Sequence, residues 1–188
     1  MMRIITGSAK GKKLVSLEGD NTRPTSERIK EAVFSSIQFD VEGRRVLDLF
    51  AGCGQLGLEA LSRGAKKATF SDSSRDATDI VMRNAKKSRL FDKCRISTCA
   101  YDQMIKGIAG KEQYDIIFID PPYKNDCIAD VLDKLCKGDV CAKGAFVICE
   151  SGHEDVFGGN DELRAKFDIQ KQARYSISYV TVLRPKEI

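Results

Sequence analysis

The sequence predicts an α/β fold built on a doubly wound, mostly parallel seven-stranded sheet, with an antiparallel hairpin at one edge and a small hairpin and helix ahead of the sheet. From Arg45 onward, apolar runs of strand length alternate with helical patterns, which is typical of a parallel sheet covered by helices. The run YDIIFID, residues 114–120, is too uniformly apolar for a strand with a solvated face. Residues 167–173 and 175–183 are strand-like and nearly adjacent, which predicts the edge hairpin.

The first forty residues have a different character. The stretch RIITGSAKGKKLVSL contains short apolar segments punctuated by glycines, and it predicts a small hairpin. The stretch TRPTSERIKEAVFSSI predicts a helix, because Ile29, Val33 and Ile37 recur at i, i+4 and i+8. Thr25 or Ser26 is the expected N-cap of this helix.

The elements after these follow in order along the chain. RVLDLF is the first strand, and the helix LGLEALSRG after it can close at Gly64. KATFS is the second strand, and the helix over residues 75–89 turns four apolar side chains inward: Ala77, Ile80, Val81 and Ala85. RISTC and YDIIFID are the third and fourth strands, IADVLDKLCKG is a helix, and AFVICE is the fifth strand. Such sheets bind ligands at the carboxyl ends of their strands, where the strand order reverses, so we expect the chemistry there.

Composition excludes several classes of protein. Apolar residues make up 42% and charged residues 31% of the 188 residues, as in an ordinary globular domain. No segment approaches the roughly 18 consecutive apolar residues of a membrane span. The basic N-terminus lacks the apolar core of a secretion signal. We therefore expect a cytoplasmic protein with no membrane partner.

The seven cysteines are an odd number spread over predicted strands and helices, which favours reduced thiols over a disulfide framework. Cys136 and Cys141 lie five residues apart, but the only histidine is His153, and no second cysteine pair has the spacing of a metal site. We therefore expect small buried thiols and no metal.

The net charge of +4 is concentrated at the N-terminus. Residues 1–13 contain Arg3, Lys10, Lys12 and Lys13 and no acidic residue. Such a patch can attract a polyanion. A solvated basic terminus is the alternative that the charge alone leaves open.

A glycine-rich segment, DLFAGCGQLG, begins at the end of the first strand, and Gly52, Gly54 and Gly57 fit the pattern G-x-G-x-x-G. The first two glycines would allow a tight turn and a close approach of the backbone to a ligand, and the third would let the helix pack closely on the sheet. The pattern alone fits a nicotinamide or flavin site, another nucleotide site, or a purely structural turn.

Two nearby carboxylates narrow these alternatives. Asp48 lies four residues before Gly52, where it would repel a pyrophosphate and would suit a cationic group such as an ammonium. Asp72, twenty residues beyond Gly52, has the spacing of an acid that holds ribose hydroxyls. A cap of the following helix is the alternative role for Asp72. A ligand with a ribose, an ammonium and no phosphates is S-adenosylmethionine.

The fourth strand ends in Asp120, Pro121, Pro122 and Tyr123, at the same edge of the sheet. The prolines cannot donate backbone hydrogen bonds, so they stiffen the turn and free the preceding carbonyls from ladder pairing. A carboxylate, such a carbonyl and an aromatic ring can receive a planar base that carries an amine. For this tetrapeptide taken alone, a stiff turn that only ends the strand is the alternative.

Together these segments resemble a known family. RVLDLFAGCGQLGLEALSRGA, the acidic residue of FSDSSRDA, and DPPY are similar to class I S-adenosylmethionine-dependent amino-methyltransferases, which have a Rossmann-like fold. RIITGSAKGKKL and TRPTSERIKEAVF resemble the bacterial RsmD family, which methylates the exocyclic N2 of a guanine in 16S ribosomal RNA. The resemblance implies a methyltransferase domain over residues 41–188 and an extension over residues 1–40 that covers RNA and cofactor. The partner that it implies is 16S rRNA or the small ribosomal subunit. We expect a monomer, although the sequence itself leaves the oligomeric state open.

The resemblance further implies roles for individual residues. Those implied in binding S-adenosylmethionine are Asp48, Phe50, Gly52, Gly54, Asp72, Ser73, Ala100, Tyr101, Arg23 and Thr25. Those implied in catalysis are Asp120, Pro121, Pro122 and Tyr123. Those expected to bind RNA are Arg3, Lys10, Lys12, Lys13 and Arg23. Ala100 and Tyr101 stand where the family has a small polar residue followed by alanine, so the adenine contact departs from the family pattern.

The implied chemistry needs orientation more than a strong base, because the sulfonium methyl is already electrophilic. Hydrogen bonds from N2–H to the Asp120 carboxylate and the Pro121 carbonyl would aim the nitrogen lone pair at the methyl group. Three other functions stay open. A DNA adenine or cytosine amino-methyltransferase lacks an obvious target-recognition insertion here, a non-catalytic nucleic-acid-binding module has no need of Asp120, and an NAD-linked oxidoreductase is disfavoured by Asp48.

Overall fold

The computed structural model describes residues 2–16, 27–122 and 127–186. Within these ranges the strands are β1 (Arg45–Asp48), β2 (Lys67–Asp72), β3 (Cys94–Thr98), β4 (Tyr114–Ile119), β5 (Cys141–Ser151), β6 (Phe167–Tyr175) and β7 (Ser178–Pro185). The helices are α1 (Glu27–Ser36), α2 (Gln55–Ser62), α3 (Arg75–Lys87), α4 (Tyr101–Ile108), α5 (Ile128–Lys137) and α6 (Asp161–Ala165), and a 3-10 turn at Phe91–Lys93 precedes β3.

The seven strands form one sheet in the order β3-β2-β1-β4-β5-β7-β6. Strands β1 to β5 run parallel to one another, whereas β7 runs antiparallel to both β5 and β6. The strand order reverses between β1 and β4, and in sheets of this kind ligands bind at the carboxyl ends of the strands at such a reversal. The predicted fold class is confirmed, including the antiparallel edge hairpin.

Each face of the sheet is covered by a layer of helices, and β4 is buried between the two layers. Ile116 and Phe118 pack in the core that includes α1, α2 and α3, which we call the first face. Ile117 and Ile119 pack in the core that includes α4, α5 and α6, which we call the second face. Because alternate residues of a strand point to opposite faces, a strand covered on both sides is apolar at nearly every position.

The predicted helical periodicity corresponds to buried helix faces. Ile29 and Val33 of α1 and Ile37 directly after it are all buried, as are Ala77, Val81 and Ala85 of α3, while Ile80 is half-buried. Helices α4 and α6 were not predicted. They have eight and five residues, and α4 carries Gly107 near its end, so their apolar periodicity is too short to recognise.

Residues 2–16 contain the predicted hairpin, which we call the N-terminal hairpin. The Ile4 amide donates to the Lys12 carbonyl at 2.9 Å, and the Leu14 amide donates to the Met2 carbonyl at 2.9 Å. The turn of the hairpin passes so close to α2 that a Cβ atom on Gly7 would lie 1.8 Å from the backbone oxygen at position 62. Gly7 also has a φ of +88°, so only glycine fits at this position.

All seven cysteines are free thiols. Among the residues that the structure describes, no helix is long and apolar enough to cross a membrane. Within the same ranges, no three side chains of His, Cys, Asp or Glu are grouped so that they could hold a metal ion.

Candidate active site at the carboxyl edge of the sheet

Acidic residues mark the carboxyl ends of four neighbouring strands. Asp48 and Asp72 are the last residues of β1 and β2, Asp120 directly follows β4, and Glu150 is the penultimate residue of β5. The register pairs Asp48 with a first-face phenylalanine on each neighbouring strand, so Asp48 is directed to the first face. Glu150 was not predicted as a site residue. Its signal is an apolar strand that ends in a carboxylate, the same pattern that identifies Asp120.

The glycine loop, residues 49–54, joins β1 to α2. The Ala51 amide donates to the Ser71 carbonyl at 3.0 Å and continues the pairing of β1 with β2. Gly52 and Gly54 have positive φ angles of +53° and +80°, which glycine adopts without steric cost. A Cβ atom on Gly52 would meet no other atom within 4 Å. The backbone at Gly52 therefore borders open space into which a ligand can fit.

The third glycine of the pattern, Gly57, lies in α2 against the sheet. A Cβ atom on Gly57 would lie 2.3 Å from Cε1 of the fully buried Phe70 ring. The missing side chain therefore lets α2 approach β2 closely, which is the packing role that the sequence pattern predicts for this glycine.

Asp48 is buried beneath the glycine loop. Its side chain is 2% exposed, and its Oδ2 accepts a hydrogen bond from the Gly57 amide at 3.1 Å. Burial raises the pKa of Asp48 from 3.8 to about 7, the Gly57 hydrogen bond opposes this rise, and the charge of Asp72 adds to it. A carboxylate in such surroundings is stabilised when a cationic group lies beside it.

Asp72 connects the glycine loop to the start of α3. Its Oδ2 accepts a hydrogen bond from the Gly52 amide at 2.9 Å, and its Oδ1 accepts one from the Ser74 amide at 2.9 Å. The N-cap of α3 is Ser74, whose hydroxyl accepts from the Ala77 amide at 3.3 Å. The alternative role of Asp72 as the helix cap is therefore wrong. Each carboxylate oxygen keeps a lone pair for a further donor, and Ser73 beside it is exposed.

An aromatic wall, formed by Phe50 and Tyr101, stands at the carboxyl ends of β1 and β3. The two ring centroids are 5.4 Å apart and the rings are inclined by 39°. Tyr101 is the first residue of α4, after the N-cap Ala100, and its hydroxyl donates to Asp130 Oδ2 at 2.7 Å. The hydrogen bond to Asp130 raises the pKa of Tyr101, because it stabilises the neutral phenol that donates it.

Asp120 and Pro121 continue the path of β4 across the sheet edge. Asp120 is half-buried, Pro121 is buried and Pro122 is exposed. The structure thus brings Asp120 to the same edge as the glycine loop, on the strand next to β1. Three further predicted site residues lie outside the described residues: Arg23, Thr25 and Tyr123.

A buried carboxylate attaches the N-terminal hairpin to α2. Glu59 has no exposed surface and accepts hydrogen bonds from the amides of Ile5 at 2.7 Å and Thr6 at 3.0 Å. Lys30 of α1, also fully buried, lies 3.6 Å from Glu59 and donates to the Arg3 carbonyl at 2.5 Å. Burial lowers the pKa of Lys30, and Glu59 opposes that shift. These residues were not predicted, although a glutamate inside the apolar run LGLEAL is a visible signal.

Four of the five basic residues predicted to bind RNA lie on the outer surface of the N-terminal hairpin, and the fifth, Arg23, lies outside the described residues. Lys10, Lys12 and Lys13, which we call the hairpin lysines, are exposed. Arg3 is also exposed and forms a salt bridge with Glu27 at 3.2 Å. These cations therefore remain accessible to an anionic partner on the first-face side of the molecule.

Comparison with known proteins finds relatives that match most of the chain. The model of a family described as conserved hypothetical protein 95 matches residues 2–184. "Putative rRNA methyltransferase YlbH" of Bacillus subtilis is 35% identical over 154 residues, which are 81% of this chain and 84% of the relative. "Ribosomal RNA small subunit methyltransferase D" of Escherichia coli is 31% identical over 159 residues, which are 82% of this chain and 76% of the relative. The solved structure of "Putative methyltransferase yhhF from Escherichia coli" has a TM-score of 0.85 at 25% identity over 98% of both chains.

Proposed function

Because the chain belongs to the RsmD family, described as conserved hypothetical protein 95, we propose that it transfers a methyl group from S-adenosylmethionine to the exocyclic N2 amine of a guanine in 16S ribosomal RNA. Two relatives are named as ribosomal RNA methyltransferases, and one of these as a small-subunit enzyme. One observation carries the proposal. At the strand-order reversal between β1 and β4, a glycine loop with two carboxylates lies beside a strand that ends in Asp120 and two prolines.

The glycine loop and its neighbours fit the chemical groups of S-adenosylmethionine. Asp48 is buried with a raised pKa and suits the ammonium of the methionine half. Asp72 has lone pairs left for ribose hydroxyls. The open space beside Gly52 allows the backbone to approach the ligand. The aromatic wall of Phe50 and Tyr101 offers an apolar surface to the adenine ring.

The reaction relies on the positioning of the base. When bound, S-adenosylmethionine supplies an electrophilic methyl group on a sulfonium, which needs no base for its activation. Guanine N2 is a weak nucleophile, because its lone pair is delocalised into the ring. In the proposal the Asp120 carboxylate accepts one N2–H and the Pro121 carbonyl accepts the other, which favours a pyramidal nitrogen with an available lone pair. The proton lost from N2 passes to water.

The carboxylate at position 120 favours guanine over adenine as the target base. Guanine presents N1–H and N2–H as adjacent donors, and a carboxylate accepts from both. The corresponding edge of adenine presents one donor and one acceptor, which an asparagine amide would match better.

We assign the RNA to the first-face side of the molecule. The hairpin lysines and Arg3 would contact phosphates there, since such contacts supply most of the sequence-independent affinity for nucleic acids. The extension over residues 1–40, which includes Arg23 and Thr25, would then cover both the RNA and the cofactor.

The first experiment tests the cofactor. Isothermal titration of the protein with S-adenosylmethionine and, separately, with NADH compares the two ligands that a glycine loop of this kind can accept. We expect binding of S-adenosylmethionine only. A preference for NADH would contradict the proposal at its first step.

The second experiment tests the substrate. Small ribosomal subunits and naked 16S RNA, both from cells that lack the native enzyme, are incubated with the protein and labelled S-adenosylmethionine, and the RNA is then digested to nucleosides. We expect the label in N2-methylguanosine. Label in N6-methyladenosine would refute the assignment of the base, and transfer to duplex DNA but not to RNA would favour a DNA amino-methyltransferase.

A further inference from the structure

One buried side chain joins the glycine loop to the N-terminal hairpin. Asn84 lies in α3 and has no exposed surface. Its Oδ1 accepts a hydrogen bond from the Val15 amide at 2.8 Å. Its Nδ2 donates to the Val15 carbonyl at 2.9 Å and to the Cys53 carbonyl at 2.9 Å. Both amide hydrogens and the amide oxygen therefore have backbone partners, and those partners belong to two separate segments.

The two segments have different roles in the proposed function. Cys53 stands between Gly52 and Gly54, the two glycines with positive φ that shape the glycine loop. Val15 is near the end of the N-terminal hairpin, which carries the hairpin lysines. The same two segments meet a second time where the Cys53 thiol donates to the Met2 sulfur at 3.0 Å. The cofactor loop and the basic hairpin are thus in contact, with Asn84 bonded to both.

We propose that Asn84 is a positioning residue that couples the shape of the glycine loop to the seating of the N-terminal hairpin, so that cofactor binding and RNA binding strengthen each other. The inference rests on the proposed function, because it takes S-adenosylmethionine as the ligand of the loop. Two hydrogen bonds hold the peptide between Cys53 and Gly54: its carbonyl accepts from Asn84 Nδ2, and its N–H donates to the Ala51 carbonyl at 2.6 Å. Loss of the Asn84 bond would remove one of these two restraints, the one that comes from outside the loop, and would weaken the loop's preference for the conformation that its ligand needs.

The contacts of Asn84 exceed what attachment of the hairpin requires. The turn of the hairpin is already held by Glu59, as described above, and by Ser62, whose hydroxyl donates to the Thr6 carbonyl at 2.6 Å and accepts from the Ala9 amide at 2.9 Å. Neither Glu59 nor Ser62 has a hydrogen bond to the glycine loop among those found in the described residues. Asn84 alone in this group bonds to both segments, so its removal should affect the ligand as well as the hairpin.

The test compares Asn84→Ala with Ser62→Ala, which is a matched control. Both substitutions remove a buried side chain that bonds to the hairpin backbone, so both should lower the urea midpoint of unfolding. Isothermal titration with S-adenosylmethionine should show a dissociation constant raised about fivefold or more for Asn84→Ala and unchanged within about twofold for Ser62→Ala. An unchanged constant for Asn84→Ala, or an equal rise in both variants, would overturn the inference. Absence of binding by the wild-type protein would instead refute the proposed function.

A second measurement needs only the wild-type protein and remains decisive if Asn84→Ala does not fold. Amide hydrogen exchange is followed by NMR with and without S-adenosylmethionine. The Val15 amide, which donates to Asn84, should exchange about fivefold or more slowly when the cofactor is bound. The Ile5 amide, which donates to Glu59 in the same hairpin, serves as the control and should change little. Equal responses of the two amides, or none at Val15, would show that Asn84 has only a structural role.

Discussion

Replacing Asp48 with asparagine should stabilise the protein while it removes the expected contact to the cofactor ammonium. Asparagine keeps the size of the side chain and an oxygen that can accept from the Gly57 amide, as Asp48 Oδ2 does at 3.1 Å. What it removes is a carboxyl group that must ionise in the interior. Because burial raises the pKa of Asp48 from 3.8 to about 7, the folded protein retains this proton over a pH range in which the unfolded chain has already released it.

The size of the expected gain in unfolding free energy follows from the pKa shift of Asp48. The folded state becomes less stable as the pH rises from 3.8 to about 7, and each unit of pKa difference corresponds to about 1.36 kcal/mol. The loss is therefore about 4 kcal/mol above pH 7 and about 2 kcal/mol at pH 5. The asparagine amide does not titrate in this range, so Asp48→Asn should exceed the wild type in unfolding free energy by these amounts. For a chain of this length, the gain at pH 8 corresponds to roughly 10 °C in melting temperature.

Urea unfolding of the wild type and Asp48→Asn at pH 5 and pH 8, without ligand, measures the difference in their unfolding free energies. The exposed Asp79 offers a control, because Asp79→Asn removes the same charge from the surface of α3 and should change stability little at either pH. The same samples titrated with S-adenosylmethionine should show stabilisation of the wild type and little or none of Asp48→Asn.

Two results would refute this reasoning. If Asp48→Asn is less stable than the wild type at pH 8, a partner in the folded protein stabilises the ionised Asp48 carboxylate by more than burial destabilises it. If the gap between the two proteins is the same at pH 5 and pH 8, the folded-state pKa of Asp48 does not lie near 7.

Three further predictions concern the base, the RNA and the packing of α2. Asp120→Ala should abolish methyl transfer in the nucleoside assay and leave the dissociation constant of S-adenosylmethionine within a few-fold. The control, Asp115→Ala at the other end of β4, should retain methyl transfer. A large loss of cofactor binding in Asp120→Ala would mean that Asp120 has a structural role instead. Replacing all three hairpin lysines with alanine should weaken RNA binding in filter assays and reduce the steepness of log K, where K is the RNA association constant, against log salt by up to about 3. An unchanged slope would mean that these lysines do not contact the RNA and are only a solvated surface. Gly57→Ala places a Cβ atom 2.3 Å from the Phe70 ring and should cost about 1–3 kcal/mol in urea unfolding. Gly107→Ala, whose Cβ would meet nothing within 4 Å, should instead stabilise α4 by up to about 1 kcal/mol, and similar effects of the two substitutions would contradict the packing argument.

The sheet, and with it the edge that carries the candidate site, could be predicted because local patterns and topological rules agree there. The apolar run of β4 predicts a strand covered on both sides, and the alternation of strands and helices predicts parallel pairing and therefore a common carboxyl edge. That edge brings Asp48, Asp72 and Asp120 together without any knowledge of side-chain contacts. The short helix α4 was missed because eight residues with a glycine have little periodicity, and Tyr101 was interpreted without the helix that it begins.

The buried polar contacts could not be predicted, because they join residues far apart in the sequence. The Ile5 amide meets Glu59 across 54 positions, and the Val15 amide meets Asn84 across 69. Nothing in the local sequence around Glu59 or Asn84 identifies these backbone partners. The roles of Arg23, Thr25 and Tyr123 stay predictions, since these residues lie outside the described part of the chain.

The core of the first face has a consequence for how the protein is made. It unites Ile4 and Leu14, near the beginning of the chain, with Val180 and Val182 of β7, near its end. Helix α1 packs beside β7, and Lys171 donates to Ser36 at 3.0 Å. At about 5–20 residues per second, roughly 150 residues of synthesis separate α1 from β7, an interval of roughly 8–30 s. During that time the apolar side of the nascent α1 has no permanent partner from β7, so we expect chaperones to contact the emerging chain at this helix and the core of the first face to form only after β7 has been synthesised.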